Sequence, residues 1–132
     1  MAAITELIRV ESNGTISFGD YTLEKKAKLN DGVYKVKTYR EITKLECNDR
    51  FVYESVPGTA VYNFNKEGDK VSFEVEGPED AQITLELEAE SEYEITINQE
   101  SVGIMSTNLG GKLSLSVELE GNAAVSIIVE KR

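Results

Sequence analysis

The sequence predicts an all-β fold: an antiparallel β-sandwich, immunoglobulin-like or jelly-roll-like, with additional N-terminal hairpins. Three observations carry this expectation. Between Ala81 and Glu130, apolar residues recur at every second position in four separate runs. Those runs are divided by turn-forming pairs at Gly77-Pro78, Asn98-Gln99, Gly110-Gly111 and Gly121-Asn122. The chain has only 2 prolines, and both fall at turns, as a sheet protein requires because proline removes a ladder hydrogen bond. A period of two sends successive side chains to opposite faces of a strand, so one face of each run is apolar and the other polar. Strands of this kind, closely spaced and separated by turns, read as a sandwich or barrel.

Each run can be justified in order. Ile8 and Val10 alternate along Leu7–Glu11, and Asn13-Gly14 then predicts a hairpin into Ile16-Ser17-Phe18, because both turn residues tolerate positive φ. A second tight turn is expected at Gly19-Asp20. Tyr21, Leu23, Ala27 and Leu29 are spaced mostly by two, which favours a strand over a short helix. Asn30-Asp31-Gly32 turns the chain into a strand carrying Tyr34 and Val36. The stretch from Tyr39 to Cys47 is open between a helical turn and a bulged strand, since Ile42 and Leu45 stand three apart. Asn48-Asp49 is a hairpin turn leading to Phe51-Val52-Tyr53, and Pro57-Gly58 is the next turn. Val61–Phe64 is a short strand, which Glu67-Gly68-Asp69 turns into Val71, Phe73 and Val75. The four alternating runs follow: Ile83–Leu87, Tyr93–Ile97, Leu113–Leu119 and Val125–Val129. Ile128 breaks the last by pointing opposite to Ile127, which suggests a partly covered outer face or a subunit contact. Eleven or twelve strands are expected in one domain, 1–132, with possible sub-lobes 1–57 and 58–132.

Composition narrows the function. The 132 residues suit one domain. No apolar run nears the roughly 20 residues that cross a bilayer as a helix, and Met1–Glu6 has no signal-peptide pattern. A cytoplasmic chain without a membrane role is therefore expected. The formal charge of −10 makes nucleic acid an unfavourable partner. The single cysteine, Cys47, rules out an internal disulfide and cysteine metal clusters, and it reads as a partly buried structural thiol. Histidine is absent, which removes the commonest general base and the usual zinc ligand. No phosphate-loop pattern occurs. No cofactor and no catalytic residue are expected.

The charges are segregated. Lys25, Lys26, Lys28, Lys35, Lys37, Arg40 and Lys44 crowd one segment, while no basic residue lies between Lys70 and Lys112. That window holds Glu86, Glu88, Glu92 and Glu94 on the polar faces of two consecutive strands, where like charges would repel if the strands paired. A solvated acidic face, a basic surface covering the acidic one, and a cation or basic-partner site are the open explanations. Tyr39, Tyr53 and Tyr62 are the candidate ligand-binding residues, as an aromatic platform for a glycan; ordinary packing is the alternative.

Two resemblances add to this. Leu7–Tyr21, Tyr34-Lys-Val-Lys-Thr38 and Phe51-Val-Tyr-Glu-Ser-Val-Pro-Gly58 resemble stretches of short bacterial all-β proteins often labelled endosialidase-like. That label implies polysialic acid cleavage, but no catalytic residue of such a site matches a position here. The runs Tyr93–Gly103 and Gly110–Val117 are similar to the closing strands of sandwich modules appended to carbohydrate-active enzymes, most of which are non-catalytic. The expected function is a non-catalytic assembly or protein-interaction module, working as a homo-oligomer or with a protein partner. The alternatives are a carbohydrate-binding module and an endosialidase-like glycan-processing protein.

Overall fold

The computed structural model describes residue 4, residues 6–120 and residues 123–132. The turn expected at Gly121-Asn122 lies outside the described residues. Among the described residues there are thirteen strands: β1 (Ile8–Val10), β2 (Ile16–Phe18), β3 (Ala27–Asn30), β4 (Tyr34–Tyr39), β5 (Ile42–Cys47), β6 (Arg50–Val56), β7 (Ala60–Glu67), β8 (Lys70–Glu76), β9 (Ala81–Glu86), β10 (Glu92–Ile97), β11 (Glu100–Ser106), β12 (Lys112–Val117) and β13 (Val125–Lys131). No helix occurs among the described residues. The strands form two antiparallel sheets. Sheet A has the order β1-β2-β7-β8-β13-β10-β11, and sheet B the order β12-β9-β6-β5-β4-β3. The fold is a β-sandwich, not a closed barrel.

Local chemistry explains the turns. Asn48 and Asp49 both take positive φ, 52° and 63°, which is the backbone a two-residue hairpin needs to match the strand twist. Asp31 accepts bonds from the backbone N–H groups of Val33 and Tyr34, and Asn30 accepts one from Gly32, which closes the β3–β4 turn. The ambiguity between Tyr39 and Cys47 resolves as two strands around a tight Arg40-Glu41 turn, with a bulge against β6 between Leu45 and Glu46. The strand expected from Tyr21 to Leu29 shrinks to β3. Residues 21–26 cross from one sheet to the other, and Asp20 starts that crossing by accepting the Thr22 N–H.

The core lies between the sheets. Phe18, Tyr53, Phe64 and Phe73 form a cluster of mostly edge-to-face rings with centroids 5.3 to 6.4 Å apart. Around it pack the inward residues of the alternating runs, including Leu45, Ile83, Leu85, Ile95, Leu113 and Ile127. A smaller apolar cluster sits on the outer face of sheet A, where Ile4 and Tyr21 cover Tyr62 and Ala60.

The interior also holds a polar knot. Thr38, Thr43, Ser55 and Thr59 are fully buried. Thr43 Oγ1 accepts from the Thr59 N–H at 3.1 Å and donates to the Thr59 carbonyl at 2.8 Å. Its proton is thereby committed, so the Thr38 hydroxyl must donate the 2.8 Å bond between them. Thr38 accepts in turn from the Asp20 N–H at 2.9 Å. The Tyr53 and Ser55 hydroxyls bond Thr59 Oγ1 at 2.8 and 2.7 Å. These bonds fasten the Pro57-Gly58-Thr59 crossing to sheet B. Gly58 passes so near the Tyr39 carbonyl that a Cβ would collide with it.

The charge segregation plays out differently in each run. The acidic runs do not pair: β9 belongs to sheet B and β10 to sheet A, because the chain crosses the sandwich between them. Within the chain, the basic strands β3, β4 and β5 do not cover the acidic runs either. Relief comes from late residues instead: Lys112 meets Glu86 at 3.6 Å, Lys131 meets Glu88 at 2.6 Å and Arg132 meets Glu94 at 3.1 Å.

Candidate functional site

The three candidate tyrosines do not come together. Tyr53 is fully buried at the centre of the aromatic cluster, facing inward from sheet B. Tyr62 is buried on the opposite side of the molecule, on the outer face of sheet A, where its hydroxyl donates to Glu76 at 2.5 Å. Burial, then the neighbouring Glu76 carboxylate, pushes its phenol pKa upward. Tyr39 is half-buried on the outer face of sheet B, with its hydroxyl on Glu41 and the Lys26 ammonium 5.8 Å from its ring centre. No aromatic platform is formed by these residues. Tyr62 faces outward by alternation with the inward Val61, and a bulge in β7 between Tyr62 and Asn65, with Asn63 at positive φ, then returns Phe64 to the core.

The surface feature that stands out is β11. Its sequence has no alternating signature, and it is a strand beyond those expected from periodicity. It forms one edge of sheet A, pairing only with β10. All seven of its residues are exposed. Val102 is 59% exposed, Ile104 51% and Met105 37%, and Leu109 in the following loop is 81% exposed. Met105 and Gly103 stand opposite Tyr93 and Ile95, two buried core residues, so they face the inner side of the sheet. Yet Gly103 has no atom within 4 Å of where a Cβ would lie. Sheet A therefore overhangs sheet B by one strand, and neither side of β11 is covered.

The other edges are protected. β1 has three residues and β3 four, the latter carrying Lys28. The edge strand β12 buries Leu113, Leu115 and Val117 and shows Ser114 and Ser116 to solvent. Short edges and lysines are the usual ways of discouraging strand addition. On β11 the only such device is a bulge, which leaves Val102 out of register with β10. Its flank is acidic: Glu94 accepts from Ser101 and Arg132, with Glu92 and Glu100 nearby on the same hairpin.

A second feature is a cleft of about 690 Å³ at one open end of the sandwich. Its floor is Ile16, Leu45 and Phe64, and Tyr34, Arg50 and Lys66 stand at its rim. Cys47 opens onto it, half-buried, with the Asn48 amide 3.7 Å from its sulfur. Burial raises the Tyr34 phenol pKa. The four arginines lie apart, on β1, in the β4–β5 turn, at the start of β6 and beyond β13. Among the described residues no cluster of histidine, cysteine and carboxylate side chains could hold a metal ion.

Comparison with known proteins finds no matching family model, no matching curated protein and no matching solved structure.

Proposed function

We propose that this domain is a non-catalytic interaction module that takes up an extended segment of a partner protein along β11. The supporting observation is the edge itself: seven exposed residues, three of them apolar, on a strand the opposite sheet does not cover. Unpaired N–H and C=O groups on such an edge supply affinity, and alternate side chains supply specificity. The acidic flank of Glu92, Glu94 and Glu100 favours a segment that is apolar at alternate positions and basic between them. A second copy of this chain fits less well, because it would bring two acidic flanks together on molecules that each carry −10. The scattered arginines and the absence of histidine support a non-catalytic role over glycan processing.

A peptide-display selection against the intact protein tests this. It should enrich extended segments with alternating apolar and basic residues, and Ile104→Arg should abolish their binding. Binders indifferent to Ile104→Arg, or no binders from a diverse library, would refute it. Sedimentation showing dimers that Ile104→Arg dissolves would replace the foreign partner with a second copy.

A further inference from the structure

A separate surface carries its own inference. The register of β3, β4 and β5 places Lys28 directly opposite Lys37, and Lys37 directly opposite Lys44. Three ammonium groups thus form a row across three adjacent strands, on the outer face of sheet B, with neighbouring strands about 4.8 Å apart. Like charges placed directly opposite destabilise a sheet, and among the described residues neither Lys28 nor Lys37 has a carboxylate within ion-pair distance. Edge protection accounts for Lys28 on β3, but β4 and β5 are interior strands with no edge to protect. The row lies along a shallow depression of about 420 Å³, which Lys35 and Glu46 also line. The acids on this face are engaged or lateral: Asp49 bonds Lys35, Glu41 bonds the Tyr39 hydroxyl, Glu46 sits opposite Lys35, and Glu54 sits opposite Lys44 at the end of the row.

The geometry points to a binding site for a linear acidic polysaccharide, laid across the strands with its sulfate or carboxylate groups over Lys28, Lys37 and Lys44. The ammonium is a non-directional point charge, suited to acidic groups on a flexible backbone rather than to the forked geometry arginine reads. Tyr39 follows Lys37 on the same outward face of β4 and offers a ring beside the row. Nucleic acid would call for a series of stacking aromatics, and the other ring on this face, Phe51, is already covered by the Lys112 ammonium at 4.3 Å. The acids of sheet A lie on the opposite face of the sandwich, and their field is screened over about 8 Å at physiological ionic strength.

The test is titration of the full chain with a fluorescent heparin oligosaccharide at 50 and 200 mM salt. Three charge contacts, each releasing about 0.7–0.9 of a counterion, should weaken binding roughly 20- to 40-fold between those salts. Lys37→Gln should lower affinity several-fold and flatten the salt dependence, while its melting temperature holds or rises because a repulsion is gone. Lys66→Gln, at the end cleft, should bind as the parent does. No binding at 50 mM salt, or binding unaffected by a Lys28→Gln, Lys37→Gln double variant, would overturn the site. Equal or tighter binding of polyglutamate, single-stranded DNA or anionic vesicles would overturn its assignment to polysaccharide.

Discussion

Thr43→Val is the sharpest test of the interior. Valine keeps the shape of threonine and replaces only the hydroxyl, so no cavity opens. The Thr59 N–H, 3.1 Å away, and the Thr38 hydroxyl, 2.8 Å away, lose their acceptor, and the Thr59 carbonyl loses a donor. All three residues are fully buried. An orphaned buried group costs about 1–3 kcal/mol, and the added buried methyl returns about 1 kcal/mol. A net loss of about 3 kcal/mol is expected, a large share of the roughly 5–15 kcal/mol typical of a domain. The chain has no tryptophan, so urea unfolding is followed by far-ultraviolet circular dichroism. With a slope near 2 kcal/mol/M, the midpoint should fall by about 1.5 M with the slope unchanged. Thr38→Val added to Thr43→Val should cost less than the sum of the two, by about 1 kcal/mol, because the orphaned hydroxyl is gone. A loss below about 0.5 kcal/mol, or strict additivity, would refute the bonding pattern.

Other outcomes follow from the same structure. Gly58→Ala should destabilise by well over 2 kcal/mol, since its methyl lands on the Tyr39 carbonyl; thermal melts compare it with Gly14→Ala, where the space is open but φ is +87°. The Tyr53 and Tyr62 phenols have raised pKa values, in both cases chiefly from burial. Folding therefore favours their neutral forms. That stabilisation is complete below the ordinary tyrosine pKa of about 10 and is lost as pH rises further. Tyrosinate absorbance from these two should appear together with loss of the β-sheet dichroism, and a phase that titrates before unfolding and disappears in Tyr62→Phe would contradict this. Phe51→Leu should cost no more than about 1 kcal/mol, because the ring's contacts with Lys112 and Lys44 lie on a half-exposed face.

Strand positions were largely readable because burial on one face writes itself into the sequence as alternation, from Val36 and Thr38 through Ile83 and Leu85 to Val125 and Ile127. Gly14 and the pair Asn48-Asp49 were readable as turn residues because positive φ narrows the choice of residue. β11 was not, since a strand with no covered face has nothing to alternate. Strand partners were hidden as well: β9 and β10 look like a hairpin, and only the packing of the whole molecule sends them to different sheets. Tyr53 and Tyr62 looked alike beside Pro57-Gly58, yet one fills the core and the other a satellite cluster, because the crossing between them changes sheets. The lysine row shows the same gap, as the sequence displays the crowding of charge but only register reveals that Lys28, Lys37 and Lys44 align.

β13 has a consequence of its own. Of the strands described, it is the last to leave the ribosome, yet it lies between β8 and β10 inside its sheet. Until it arrives, the half-made sheet is two separate ribbons, β1-β2-β7-β8 and β10-β11, each with a raw flank. A nascent chain stalled even slightly short of Val125 thus carries two sticky margins that the folded domain never shows, so vulnerability to misassembly is concentrated in the interval before β13 emerges.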